Sequence, residues 1–266
     1  MHFCYQLLTY LFYPLAPIYL YFRRLKKKED PVRYKEKLSK IKIERKEGFL
    51  IWFHVASVGE AMSILPLIDN CIEEKKISRV LITSITLSSG KILDKRFKQN
   101  PKVIHQFLPL DVPILVNKFL QHWKPNLSIF IDSEIWPNLI LQTHLRKIPL
   151  LLLNARITKK SFVRWRLISG FAKKIFEKFD LCLPQNNETE KRLNFLGAKN
   201  ICNLGNLKFS TSKNIKDNIL EKNIINFFKR KKILITAAST HFDEENFIIK
   251  NHLYFTRKKK INNLIS

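Results

Sequence analysis

Acidic residues are scarce in this 266-residue chain, where 22 Asp and Glu stand against 48 Lys and Arg, a formal charge of +26. Such an imbalance leaves three readings open, nucleic acid, an anionic membrane surface or anionic substrates, beside a merely solvated basic surface. Cysteine is sparse too. Cys4, Cys71, Cys182 and Cys202 are scattered without a C-x-x-C, so the spacing indicates neither a disulfide framework nor a zinc site and fits free thiols. The seven histidines form no H-E-x-x-H or other paired arrangement, so no metal and no cofactor are expected. Nucleic acid has only charge behind it: there is no aromatic-rich RNA motif and no helix-turn-helix signature, and no nucleic-acid partner is expected.

Charge of either sign is missing altogether between Phe3 and Phe22. A helix of that length rises roughly 30 Å, the thickness of a bilayer's hydrocarbon core. Arg23, Arg24, Lys26, Lys27 and Lys28 follow at once, and such a cluster stays on the cytoplasmic side. Residues 3–22 are therefore expected to be a single membrane-anchor helix in the inner membrane, with the rest of the chain facing the cytoplasm. Pro14 and Pro17 weaken a straight span, and an in-plane or partly inserted anchor is the runner-up. A cleaved signal peptide fits less well, because the charge follows the apolar run. Residues 23–47 form a basic connector, its charged part from Asp30 to Glu47 expected as a surface helix above the headgroups.

From residue 48 onward, short apolar β-favouring runs alternate with amphipathic helical patterns, the signature of a parallel sheet in an α/β fold. Phe49–Phe53 reads as a buried strand, Ser57 and Gly59 as turn and cap residues, and Ala61, Ile64, Leu65 and Ile68 recur at helical spacing. Glu60 thus falls in the first turn of a helix, where backbone N–H groups and the helix dipole favour negative charge. A capping glutamate is the plainer reading of that position. Further strands are expected at 80–86, 103–108, 127–131, 150–153, 181–183, 201–204 and 232–237. The strand at 127–131 runs straight into Asp132, Ser133 and Glu134, with Asp132 or Ser133 expected to cap the following helix and Trp136 to pack in the core. Every candidate polar residue sits just past a strand, the edge where open α/β sheets bind ligands. The polar stretch from Ser210 to Asn218 places a boundary between a 48–209 domain and a second domain over 210–266.

The segments ASVGE (56–60), HQFLPLD (105–111), SEIWPN (133–138), LLNAR (152–156), GNLKF (205–209) and ASTH (238–241) together resemble those of the 3-deoxy-D-manno-octulosonic acid (Kdo) transferases. These are inverting, membrane-associated glycosyltransferases that move Kdo from CMP-Kdo to the lipid A precursor, lipid IVA, in lipopolysaccharide biosynthesis. The resemblance implies a GT-B fold, two Rossmann-like domains with the acceptor bound mainly by the first and the donor by the second. It implies Glu60 as general base and Glu134 as a second acid of the site. Ser57, Gly59, Arg156, Asn206, Lys208, Ser239, Thr240 and His241 match positions around the cleft, with Gly59 as the small residue of a close turn. CMP-Kdo, the lipid A precursor and an anionic membrane surface are the implied partners. Asp243 departs from a pattern that more often has Gly there. Relative to the family the chain is expected to be C-terminally shortened, with an incomplete donor-binding domain. The alternative to a working transferase is a catalytically impaired remnant that binds membrane and lipid A precursor.

Overall fold

The run from Phe49 to Val55 forms β1 near the centre of a six-stranded sheet. Its companions are β2 (Ile77–Ser84), β3 (Val103–Phe107), β4 (Leu127–Ile131), β5 (Leu150–Ala155) and β6 (Leu181–Pro184). They lie in the order β3-β2-β1-β4-β5-β6, every neighbouring pair parallel. This computed structural model describes residues 2–207, 235–236, 242–259 and 264–265. The chain divides into two compact units, Met1–Ser212 and Lys213–Ser266, and the sheet belongs to the first.

Burial on both faces explains why β1, His54 apart, is a continuous apolar run rather than an alternating one. Leu50 and Trp52 point into one core with Leu81, Phe119, Phe130 and Leu152. Ile51, Phe53 and Val55 point into the other with Ile82, Ile131, Ala61, Ile64 and Ile68. Each large apolar side chain buried in these cores contributes about 1.5–3 kcal/mol. The helices that close the two faces follow the strands in turn: α3 (Val58–Ser63), α4 (Leu65–Glu73), α5 (Leu87–Phe97), α6 (Pro113–Trp123), α7 (Pro137–Leu145), α8 (Lys159–Leu167), α9 (Ser169–Phe176) and α10 (Asn187–Leu196). The chain runs outward from β1 through β2 to β3, then returns to β1's other side for β4. Between β1 and β4 the connections diverge, which opens a crevice at the carboxyl ends of those two strands.

The uncharged N-terminal segment is not one helix. It folds as α1N (His2–Phe12), a 3-10 turn at Tyr13–Leu15 and α2N (Ala16–Leu25), with Pro14 and Pro17 each at a helix start, where a missing N–H is tolerated. Among the described residues no helix is long and apolar enough to cross a membrane. The segment docks on the sheet domain instead. Ala16 and Leu20 are fully buried, the Tyr5 hydroxyl donates to Asp111 (2.7 Å), and Asn138 Nδ2 donates to Thr9 Oγ1 (3.0 Å). Its outer face leaves Phe3, Leu8, Leu11 and Phe22 exposed.

The charged stretch after it also differs from expectation. In place of a surface helix over Asp30–Glu47 there is a 3-10 helix at Arg33–Leu38, and Lys37 is buried, its ammonium 2.6 Å from the buried Glu29 carboxylate. The expected strand at 201–204 reduces to a single bridge from Ile201 to Cys182. In the second unit Ile235–Thr236 pairs in parallel with Leu264–Ile265, and a helix spans Phe242–Lys259. The rest of the expected 232–237 strand lies outside the described residues.

Candidate active site

The crevice between β1 and β4 gathers the acids. Ser57 is the N-cap of α3: its backbone is extended, its hydroxyl accepts from Glu60 N–H (3.2 Å) and donates to Glu60 Oε1 (2.9 Å). Glu60 Oε2 in turn accepts from the Ala56 N–H (2.7 Å). This is a variant of the capping box, with Glu60 reaching the N–H one residue before the cap, so the carboxylate is held in place by the turn that carries it. Burial pushes the Glu60 carboxyl above the usual range. The Ala56 and Ser57 hydrogen bonds oppose that shift, while the charges of Glu134 and Asp132 reinforce it.

Glu134, just past β4, moves the other way. Burial acts to raise it, but His54 and the Trp136 indole outweigh burial and hold its carboxyl below the usual range. Trp136 Nε1 donates to Glu134 Oε2 (2.7 Å), and His54 Nε2 lies 3.1 Å from the same oxygen. A carboxylate only accepts, so that imidazole nitrogen carries the proton. The other ring nitrogen, Nδ1, sits 3.0 Å from Thr83 Oγ1, which accepts from Trp52 Nε1 (2.8 Å). A buried polar chain thus runs Trp52, Thr83, His54, Glu134 from inside the sheet to its carboxyl edge. His54 is fully buried and packs edge-on against Phe130.

The expectations for this edge are met unevenly. Ser57, Gly59, Glu60 and Glu134 come together at the ends of β1 and β4. Gly59 does not make a close turn: it lies inside α3, and a Cβ built on it would meet nothing within 4 Å. Neither Asp132 nor Ser133 caps α7. Asp132 adopts a left-handed backbone (φ 61°) that turns the chain, and α7's first N–H groups are taken by Asp111, whose carboxylate accepts from Asn138 N (3.0 Å) and Leu139 N (2.8 Å). Trp136 is partly buried and packs against the core, as expected, while its indole N–H reaches Glu134. Arg156 is exposed just past β5. Asn206 lies near Gln185 past β6, and its neighbour Leu207 donates its N–H to Asn154 Oδ1 (3.1 Å). Lys208, Ser239, Thr240 and His241 lie outside the described residues. His54 went unnoticed in the sequence, although a histidine inside FLIWFHV is a polar residue in a strand buried on both faces, which is itself a signal.

Ser84, His105 and Asp94 form a second constellation, with Ser84 Oγ 2.8 Å from His105 Nε2 and Asp94 Oδ1 2.9 Å from His105 Nδ1. The spacing is that of a nucleophile, base and orienting acid. Ser84 is fully buried, however, and Arg33 also binds both Asp94 (2.6 Å) and the His105 carbonyl (2.8 Å). A substrate cannot reach the hydroxyl, and the three residues serve to fasten the edge strand.

Residues 32–211 match the family described as 3-deoxy-D-manno-octulosonic-acid transferase (kdotransferase). Over 246 residues the chain is 39% identical to a 3-deoxy-D-manno-octulosonic acid transferase of Rickettsia bellii, covering 92% of this chain and 58% of that protein. Over 261 residues it is 35% identical to a probable mitochondrial 3-deoxy-D-manno-octulosonic acid transferase of Arabidopsis thaliana, covering 93% and 56%. The chain thus spans little more than half the length of these relatives. Among solved structures, UDP-GlcNAc 2-epimerase from Neisseria meningitidis bound to UDP-GlcNAc matches with a TM-score of 0.54 at 14% identity, over 81% of this chain and 64% of that one. That likeness is one of fold.

Proposed function

This chain belongs to the Kdo transferase family, and from that premise we propose that it serves as the acceptor-side part of a GT-B glycosyltransferase moving Kdo from CMP-Kdo to the lipid A precursor. In this reading an acceptor hydroxyl attacks the anomeric carbon of Kdo from the face opposite CMP. The new C–O bond forms as the bond to the phosphate oxygen breaks, and Glu60 takes the hydroxyl proton.

One observation carries the assignment: two carboxylates meet at the switch point, Glu60 held by the Ala56 N–H and the Ser57 hydroxyl and Glu134 by His54 and Trp136, surroundings that push them apart. Glu60, raised by burial and by its acidic neighbours, is the better proton acceptor near neutral pH. Glu134, fixed by His54 and Trp136, stays a carboxylate, and its charge favours uptake of the proton by Glu60. CMP leaves as a phosphate anion, which basic side chains and helix N-termini stabilise.

The N-terminal segment supports membrane association in the plane of the surface, on the cytoplasmic side of the inner membrane. The exposed apolar face of α1N and α2N would enter the interface, with Arg23, Arg24 and Lys26–Lys28 at the headgroups.

The test is transfer of labelled Kdo from freshly generated CMP-Kdo to lipid A precursor by the purified chain in detergent. Glu60→Gln is expected to lower the rate by a factor of about 100 or more, the usual scale of a general base, with acceptor binding retained. Normal turnover in that variant would remove Glu60 from the role.

A further inference from the structure

A cavity of about 540 Å³ opens on the edge-strand side of the first unit, its wall carrying Arg24, Arg33, Lys35, Lys40 and Lys42 with Glu36 as its single acid. Five cations against one acid leave it at +4. Glu36 is already satisfied, by Arg33 (2.8 and 3.1 Å) and by the Phe107 N–H (2.8 Å). Among the described residues, Arg24, Lys35, Lys40 and Lys42 make no ion pair; the Arg24 guanidinium lies over the rings of Tyr21 and Tyr34. Unneutralised cations around one concavity repel each other, so their arrangement favours an anion between them.

Gln106 of β3 also lines this cavity and is 1% exposed. Its Oε1 accepts from Trp123 Nε1 (2.8 Å). An indole N–H can only donate, so the amide's orientation is fixed, and Nε2 is the atom left without a partner. A buried, unpaired donor beside a surplus of cations calls for a ligand with several acceptor oxygens.

We propose that this cavity binds the phosphate of an anionic lipid headgroup, an assignment that rests on the membrane reading given above. The lipid source follows from continuity. Arg24 belongs to α2N, and Tyr21, Phe22 and Leu25, within a turn of it on the same helix, are exposed. A phospholipid lying along that helix presents an acyl chain to the apolar face and its phosphate to the cavity.

Two measurements decide it, both on the full chain. In the first, binding to phosphatidylcholine vesicles and to equimolar phosphatidylcholine and phosphatidic acid vesicles is compared for the parent, Lys35→Ala/Lys40→Ala/Lys42→Ala, and Lys174→Ala/Lys191→Ala/Lys199→Ala. Both triple variants remove three exposed lysines, the second at the opposite sheet edge. The cavity variant is expected to lose about tenfold or more in affinity for the anionic vesicles, with the control variant close to the parent. Equal losses in both would reduce the effect to diffuse charge and overturn the site. In the second, the Gln106 side-chain amide resonance is followed during titration with dihexanoyl phosphatidic acid and with inorganic phosphate. A shift that saturates with the lipid at lower concentration than with phosphate supports the proposal. No shift with either overturns the site, and equal shifts overturn the lipid source. Should the chain bind no vesicle at all, the membrane reading falls, while the short-chain titration still decides whether the cavity holds phosphate.

Discussion

Two carboxylates just past neighbouring strands, Glu60 after β1 and Glu134 after β4, carry opposite consequences for stability. Glu60 is raised in the fold, so its contribution is fully present below the ordinary value of 4.5 and is lost as pH rises through its folded value. Glu60→Gln is therefore expected to be as stable as the parent at pH 4, and equal or higher in Tm at neutral pH, even as it loses activity. A lower Tm at neutral pH would make the residue a structural cap first. Glu134 is depressed, and its contribution is present above 4.5 and lost as pH falls through its lower folded value. His54→Gln removes the imidazole that holds it down. It is expected to cost about 1–3 kcal/mol in denaturant unfolding and to move the Glu134 carboxyl titration, read by NMR, upward. An unmoved titration would mean that Trp136 alone fixes the carboxylate. Glu60 was legible in the sequence because capping chemistry is local, four residues wide. His54 was not, because its partners Thr83 and Glu134 lie 29 and 80 residues away.

Among the elements, the N-terminal helices departed furthest from expectation. An uncharged run reads as a membrane span until something else claims its few polar atoms, and Tyr5 and Thr9 are claimed by Asp111 and Asn138. Asp111 ties three elements together, since the carboxylate that anchors Tyr5 of α1N also caps α7 and follows β3. Burial pushes the Asp111 carboxyl up, and the hydroxyl of Tyr5 and the N–H groups of Asn138 and Leu139 work against that. Tyr5→Phe takes one donor from a buried carboxylate and is expected to cost about 1–3 kcal/mol. Amide exchange in α1N should quicken while the strands keep their protection; unchanged exchange would show that the apolar contacts of Ala16 and Leu20 hold the segment unaided.

At the scale of the whole molecule the chain carries a charge of +26, and in the first unit the exposed apolar face of α1N and α2N runs directly into Arg23, Arg24 and Lys26–Lys28. Leu7→Ser, Leu8→Ser and Leu11→Ser combined remove exposed side chains from that face. The variant is expected to keep the parent's Tm and to bind neutral phosphatidylcholine vesicles about tenfold more weakly or worse. Undiminished binding would leave the face without a membrane role.

The sequence by itself determined the α/β class, the places of the six strands of the sheet and the position of Glu60. All rest on short-range periodicity and turn chemistry, which any stretch of chain carries within itself. It also carried the family, through six short segments in order. Tertiary structure decided what depends on closure over distance. The strand order made β1 and β4 neighbours and so placed Glu60 beside Glu134. Burial and acidic neighbours raised Glu60 while His54 and Trp136 held Glu134 down, which set those two carboxylates to opposite sides of their ordinary range. The bonds from Tyr5 to Asp111 and from Asn138 to Thr9 tied the uncharged N-terminal segment to the sheet domain. Each of these is a contact between groups tens of residues apart, made only when the sheet brings their elements together.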